Sequence, residues 1–513
     1  MVWNLKNPPV QAKNQKITRS ITVITACFAT CLDIMNLSAV NIAVPSIASD
    51  IGLTTSTLPW LIASYAIAFA AFLLPAGKLG DLYGYRIIYL SGLAMFAVTS
   101  VINAVAPNQY VLFVFRALQG LAAACTVPNA IALVANSFED ENERRIALST
   151  FAGAGPIGFT IGLVLGGVLS YTIGWRWIFY ISAICSLLMF VLAFLFVPNF
   201  AHEGEGEKVD VLGFFLATSG FILLIYALSD GQWHLARDPV TLVIGVLLIA
   251  AFLAWEFKAQ DPLVRPSWWR RQNFAVAFAI SFIHYVAFMG YIYIVTLMFQ
   301  DAFGYSAIDT ALYFLPCGIV AFFSANGVGY ITPYTGTRNI IVIGSILTAA
   351  AYVGAVFYSI ELGFWKLIFP MHILMCIGLP ALYVGGQNAM IASAPPNETG
   401  TLGAVFNTAG QLGSGVGLAI MTAVIDGVNQ DGATGMDALP GYHAALYVLI
   451  ALLVVCAIVS AIFVKDDRKV LPQGDKSADG FEDLEKGQAE EVKEVKSSSQ
   501  DNDSYASTVV NQQ

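Results

Sequence analysis

Two charged side chains, Asp33 and Arg116, stand well inside long apolar runs of the chain. Holding a charge there costs on the order of 3 kcal/mol or more, so such groups are functional candidates by default. Burial favours a neutral acid and a nearby cation favours the carboxylate. A carboxyl alternating between two such settings takes up and releases a proton, which is the chemistry assigned to Asp33. The competing reading is an Asp that stays neutral or paired and only holds helices together. Arg116 keeps its charge and must find acceptors: Asp33, backbone carbonyls or an anionic solute. It serves proton coupling or clamps the first and fourth runs.

Uncharged polar residues interrupt the same runs: Asn36, Asn41, Gln119, Asn129, Gln387, Asn388, Asn407 and Gln411. Polar groups facing lipid are costly, so these should line an interior. Such an interior suits small polar or weakly basic solutes; each residue alone could equally make an interhelical bond. Tyr285, Tyr291, Phe314 and Tyr383 can stack on a cation or simply pack. His284 and His372 read as neutral, satisfied histidines. The seven cysteines all lie in apolar runs, with no CxxC and no metal-ligand spacing. No nucleophile–base pair stands out, so an enzyme, a metal site and a cofactor are not expected. Without a phosphate-binding glycine loop, ATP is not expected to drive the protein.

What positions these residues follows from composition. The 513 residues are 57% hydrophobic and 12% charged, with a mean hydropathy of +0.70. That excludes a disordered chain, a coiled coil and an ordinary cytosolic enzyme. A pI near 5.1 and the lack of a basic face argue against nucleic acid. The net charge is -9, and the segment from 465 onward, with 12 acids and 7 Lys or Arg, supplies -5 of it.

Apolar runs of roughly 20 residues match a bilayer core of about 30 Å. They occur at 21–44, 58–76, 87–106, 111–135, 146–170 and 178–197, then at 212–228 and 240–257. Six more follow at 274–299, 311–331, 340–359, 367–391, 401–425 and 443–464. Spans without alternating polarity must be helices. The expected fold is an all-α membrane protein with 14 transmembrane helices, two six-helix bundles plus two extra helices. Its parts are a cytoplasmic segment (1–20), the first bundle (21–197), a linker with the extra pair (198–273), the second bundle (274–464) and a disordered acidic tail (465–513). The polar residues before the first span are not a signal peptide of the usual form, so that span should be retained. With the N-terminus inside, cytoplasmic segments up to Lys469 hold 17 Lys or Arg and outer loops three. Both termini are then cytoplasmic, and the sequons at Asn397 and Asn502 stay unmodified.

The chain repeats itself. GKLGDLYGYR (77–86) and GYITPYTGTR (329–338) share Gly, aliphatic, Gly and Arg positions at an offset of 252 residues, each after the second span of a half. A duplicated half is the layout of a transporter with a midplane site. Asp81 faces Pro333 in this alignment. Gly77 and Gly84 permit a tight turn and close helix approach. Asp81 can rest on a helix N-terminus of the opposite half, and with Arg86 it forms a gating motif or a folding determinant.

These residues resemble the major facilitator superfamily. The 77–86 loop is similar to its GxLaDrxGrkxxl signature, and RALQG (116–120) is similar to its RxxQG motif. WRWIF (175–179) and the Gly-rich GAVFNTAGQLGSGVG (403–417) resemble further family segments. The 6 + 2 + 6 layout resembles the fourteen-span drug:proton antiporters. Two departures stand out. Asn36 occupies the position where the family's first span often has Asp, with Asp33 one turn earlier on roughly the same face. Gly162-Leu163 replaces the Gly-Pro of the fifth-span motif, while Gly155-Pro156 lies seven residues upstream. Both resemble a fungal branch related to aminotriazole and boron resistance. Gly155, Pro156, Gly162, Gly166 and Gly167 should pack the fifth span closely on a neighbour.

The resemblance implies a monomeric plasma-membrane transporter working by alternating access, exchanging protons for small organic or weakly basic compounds in efflux. Its partners are the small-molecule substrate, protons and the lipid bilayer. The alternatives are a facilitator or uptake system for a solute such as ammonium or boric acid, and a membrane nutrient sensor.

Overall fold

A computed structural model describes residues 15–53, 57, 60–200, 209–230, 237–359, 361, 363–393, 398–429 and 434–465. The segment 1–14, the sequon at Asn397 and the acidic tail beyond 465 lie outside the described residues. Within them the chain is helical and contains 14 helices long and apolar enough to cross a membrane. The first six are α1 (Gln15–Ile51), α2 (Trp60–Tyr83), α3 (Tyr85–Ala104), α4 (Gln109–Asn136), α5 (Glu141–Thr172) and α6 (Arg176–Phe196). An inserted pair follows, α7 (Val211–Asp230) and α8 (Arg237–Glu256). The last six are α9 (Phe274–Leu297), α10 (Ala307–Thr335), α11 (Thr337–Val356), α12 (Phe369–Ala392), α13 (Thr399–Val428) and α14 (Leu439–Phe463).

Helix ends follow local chemistry. Asn108, Asp140 and Ser306 cap α4, α5 and α10 by accepting from backbone N–H groups three residues on. The repeated motifs, expected as loops, are helix almost throughout. A single glycine separates α2 from α3, and another separates α10 from α11. Gly84 has φ 99° and Gly336 has φ 83°, a region that a Cβ disfavours. Polar residues near a helix end lower its hydropathy without ending it, so an apolar count stops too early.

The two halves pack by the same scheme. In the first, α5 lies on α1 because Gly158, Gly162 and Gly166 leave no room for a Cβ against the backbone of Cys31, Met35 and Ala39. Ser38 donates across this seam to the Phe159 carbonyl at 3.0 Å. In the second, α13 lies on α9 in the same way, with Gly413 against the Phe282 carbonyl and Gly417 against Val286. The halves meet reciprocally. Gly77 of α2 abuts Gly400 and Ala404 of α13, while Gly318 of α10 abuts Pro156 and Thr160 of α5. Helix two of each half thus crosses helix five of the other. The inserted pair packs on α2: Ala217, Phe221, Ile225 and Phe252 share a core with Ile67, Ala70, Ala71 and Leu74, and Trp60 stacks on Tyr226.

Candidate functional site

Asp33 is buried in α1, with 7% of its surface exposed, and accepts a hydrogen bond from the Tyr65 hydroxyl of α2. Arg116 of α4 is fully buried and lies 4.5 Å from the Tyr65 ring centroid. Its hydrogen bonds go to neutral acceptors: Asn36 Oδ1 at 2.7 Å, Gln119 Oε1 at 2.9 Å and the Leu61 carbonyl at 3.3 Å. The charges of Asp33 and Arg116 nevertheless interact. Of the acceptors named from the sequence it uses a backbone carbonyl, and it adds two side-chain amide oxygens that the sequence reading did not name. Asn36, standing where an acid often stands, supplies one of them and leaves Asp33 to Tyr65. The network continues from Asn36 Nδ2 to Ser182 (3.0 Å), and from Gln119 to Ser100 (2.7 Å) and Asn103 (3.2 Å). Five helices are joined around one guanidinium.

The second half presents rings. His284 and Tyr285 of α9, Tyr383 of α12 and Phe406 of α13 form a cluster with centroids 5.3–6.4 Å apart. Tyr285 lies within electrostatic range of Asp33, which sets the ring cluster of the second half near the carboxyl of the first. On α1, the stripe Thr30, Ile34, Leu37, Asn41 and Pro45 passes from buried through half-buried to exposed. The stripe is therefore covered at the Thr30 end and accessible toward Pro45.

The covered end is closed by polar contacts between halves. Asp81 Oδ1 accepts from the Gly400 amide at 3.0 Å and Oδ2 from the Thr401 amide at 2.9 Å; the Thr401 hydroxyl also donates to it. A carboxylate thus rests on the exposed N–H groups and positive dipole end of α13. Asn136 of α4 donates to Thr399 Oγ1 at 2.8 Å, and Thr150 of α5 donates to Asn326 of α10 at 2.7 Å. Glu398, just before α13, pairs with Arg265 and Arg271 at 2.9 and 2.8 Å.

The other residues singled out in the sequence fall in several places. Gly77 and Asp81 touch the opposite half, but Arg86 serves its own: it donates to the Phe194 carbonyl of α6 at 2.6 Å, and Gly84 only makes the turn. Asn129 does not line the passage; its amide donates to the Ala76 and Cys125 carbonyls, and Gly80 packs against it. Asn407 donates back to Gly403 of its own helix. Gln411 is half-buried and Asn388 buried. Gly155 meets only the tip of Ile34, and at Gly167 the nearest atom is Ile42 Cγ2 at 3.8 Å, so neither shares the close seam of Gly162 and Gly166. Pro156 sits at the crossing with α10. His372, read as satisfied, is buried among Phe314, Tyr291 and Phe364, with the Tyr313 backbone as its polar neighbour. Sequence reasoning missed Tyr65, Thr399, Thr401 and the Glu398 pair. The Asn397-Glu398-Thr399 stretch drew the eye as a sequon, although it also precedes a helix start.

A family model, the Major Facilitator Superfamily, matches residues 26–418. The chain is 34% identical over 432 residues to a major facilitator superfamily multidrug transporter of Aspergillus fumigatus, covering 82% of each protein. It is 29% identical over 452 residues to a puromycin resistance protein of Streptomyces alboniger, covering 84% of this chain and 89% of that one. Among solved structures, a human organic anion transporter (15% identity) superposes with a TM-score of 0.62 over 86% of this chain and 99% of the other. A proton:xylose symporter (13% identity) gives the same TM-score over 89% and 98%.

Proposed function

The chain belongs to the Major Facilitator Superfamily and is a multi-pass secondary transporter related to drug-resistance exporters, and from that premise we propose that it expels weakly basic aromatic compounds in exchange for protons. The observation that carries this reading is the placement of Asp33. It is a buried carboxyl in the first half, hydrogen-bonded by Tyr65 and within electrostatic range of Tyr285 of the second half. A cation that stacks on Tyr285 and Tyr383 competes with a proton for the same carboxylate. Loading one releases the other, which is the exchange an antiporter needs. Arg116, held by Asn36 and Gln119, keeps a fixed positive charge behind Tyr65.

Alternating access then requires the shut end to open. The Asp81–α13 contact is the latch on that end, with Gly77 and Gly318 as the close crossings about which the halves rock. In the orientation set by Lys and Arg, the latch faces the cytoplasm of a plasma-membrane protein. The protein works as a monomer, since each chain holds both halves of the passage.

The test uses purified protein in proteoliposomes loaded at pH 6 and diluted into pH 8, with ethidium outside. Accumulation of ethidium, abolished by nigericin and by Asp33→Asn, is the expected result. Ethidium uptake that ignores the pH gradient, or an Asp33→Asn protein that still accumulates it, would remove proton exchange from the reading. Uptake or efflux of a panel including ammonium and boric acid, with and without an uncoupler, fixes the direction and solute range.

A further inference from the structure

Gln387 of α12 is buried, and its amide makes no hydrogen bond to any of the described residues. It belongs to a stripe of α12, Tyr383, Gln387 and Ile391, spaced four residues apart and therefore on one face. Ile391 packs into the first half, among Ala130, Ala147 and Leu148. Tyr383, two turns back, joins the ring cluster with His284, Tyr285 and Phe406. Gln387 therefore stands between the ring cluster and the floor where the halves meet. It is 1% exposed, and among the described residues neither Oε1 nor Nε2 has a hydrogen-bond partner. Native proteins rarely leave a buried amide unpaired at both ends, so such a group calls for an explanation.

We propose that Gln387 is a specificity-determining residue: its amide reads an adjacent N–H and C=O edge, as in a lactam or primary amide, on a planar aromatic substrate whose ring stacks on Tyr285 and Tyr383. A side-chain amide offers one donor and one acceptor side by side. The complementary edge is a cis-amide, which pairs with it through two parallel hydrogen bonds. The aromatic walls supply stacking area, and Asp33 takes an amine when the substrate has one. Solutes without the amide edge leave Gln387 unpaired and bind less well, the asymmetry that makes a buried polar group discriminating. The inference rests on the export reading for the existence of the passage, but not on proton exchange.

Equilibrium binding to the purified full chain in detergent tests it, by calorimetry with 4-(aminomethyl)-2-quinolone and its N-methyl lactam. The methyl group removes the donor and keeps the ring and amine. The wild-type protein should prefer the free lactam by about tenfold or more. In Gln387→Leu the ratio should fall to about one, while affinity for the N-methyl compound stays within about threefold, which also shows that the variant is folded. Gln387→Asn, with the amide one methylene back, should keep part of the preference. A ratio near one in the wild type, a preference retained in Gln387→Leu, or no binding of either compound overturns the proposal. Asp33→Asn should weaken both ligands equally and leave the ratio. A retained ratio with no pH-driven accumulation in vesicles would break the proton-exchange reading and leave Gln387's role standing.

Discussion

Removing the Asp81 carboxylate should unlatch one end of the passage. In the structure that group accepts from two backbone amides of α13's first turn, at 3.0 and 2.9 Å, and from the Thr401 hydroxyl. A hydrogen bond to a charged acceptor contributes about 1.5–3 kcal/mol. A partly buried carboxylate at a helix N-terminus gains up to about 2 kcal/mol. Desolvation of the buried carboxylate offsets part of this, leaving about 2–3 kcal/mol in favour of the shut state. At 1.4 kcal/mol per tenfold, Asp81→Ala shifts the equilibrium toward opening by about 30–150-fold. A chain that is shut 99 times in 100 would then be open about a quarter to a half of the time, or more. Asp81→Asn keeps one acceptor and should produce about half of the free-energy change. The assay is electron–electron distance measurement between spin labels at Glu139 and Tyr334, exposed positions on the first and second halves near this end, with the seven native cysteines replaced. A new long-distance population should appear in Asp81→Ala and be smaller in Asp81→Asn. Identical distance distributions in wild type and Asp81→Ala would refute the latch, because no other group could then be charged with the missing 2–3 kcal/mol.

Gly162→Val should destabilise the protein in detergent and lower its yield, because its Cβ meets the Met35 carbonyl, whereas Gly167→Val should be tolerated; equal melting temperatures for the two would contradict the α1–α5 seam. Arg116→Lys should cost about 2–3 kcal/mol, since an ammonium cannot span Asn36, Gln119 and the Leu61 carbonyl together, and a thermal-shift curve matching the wild type would show that the network adds nothing. Gly84→Ala and Gly336→Ala should each lower stability by about 1–2 kcal/mol through strain at positive φ, read from denaturation midpoints; a neutral result at both would show that the two turns relax freely.

Much of this was legible in the sequence, because lipid leaves few options. Fourteen apolar runs had to be helices, and the 252-residue repeat anticipated the matched turns at Gly84 and Gly336. Asp33 and Arg116 stood out through charge alone, and Asp81 through its motif. What the sequence left dark was direction around each helix. Asn36, Asn41 and Asn129 look alike in a string; in the fold one feeds Arg116, one is exposed and one clasps α2. Fixing which way each points needs the crossing geometry set by Gly158, Gly162 and Gly166, and that emerges only when α5 lies against α1. Tyr65 was invisible for a related reason: a tyrosine in an apolar run reads as packing until its hydroxyl meets Asp33.

In the proposed exchange, substrate and proton compete for one carboxyl. Adding ethidium to purified protein in weakly buffered detergent solution, with a pH indicator dye, measures this directly. Competition at Asp33 releases about one proton per protein molecule in the wild type and none in Asp33→Asn. Saturable ethidium binding without proton release, or equal release from both proteins, would contradict it.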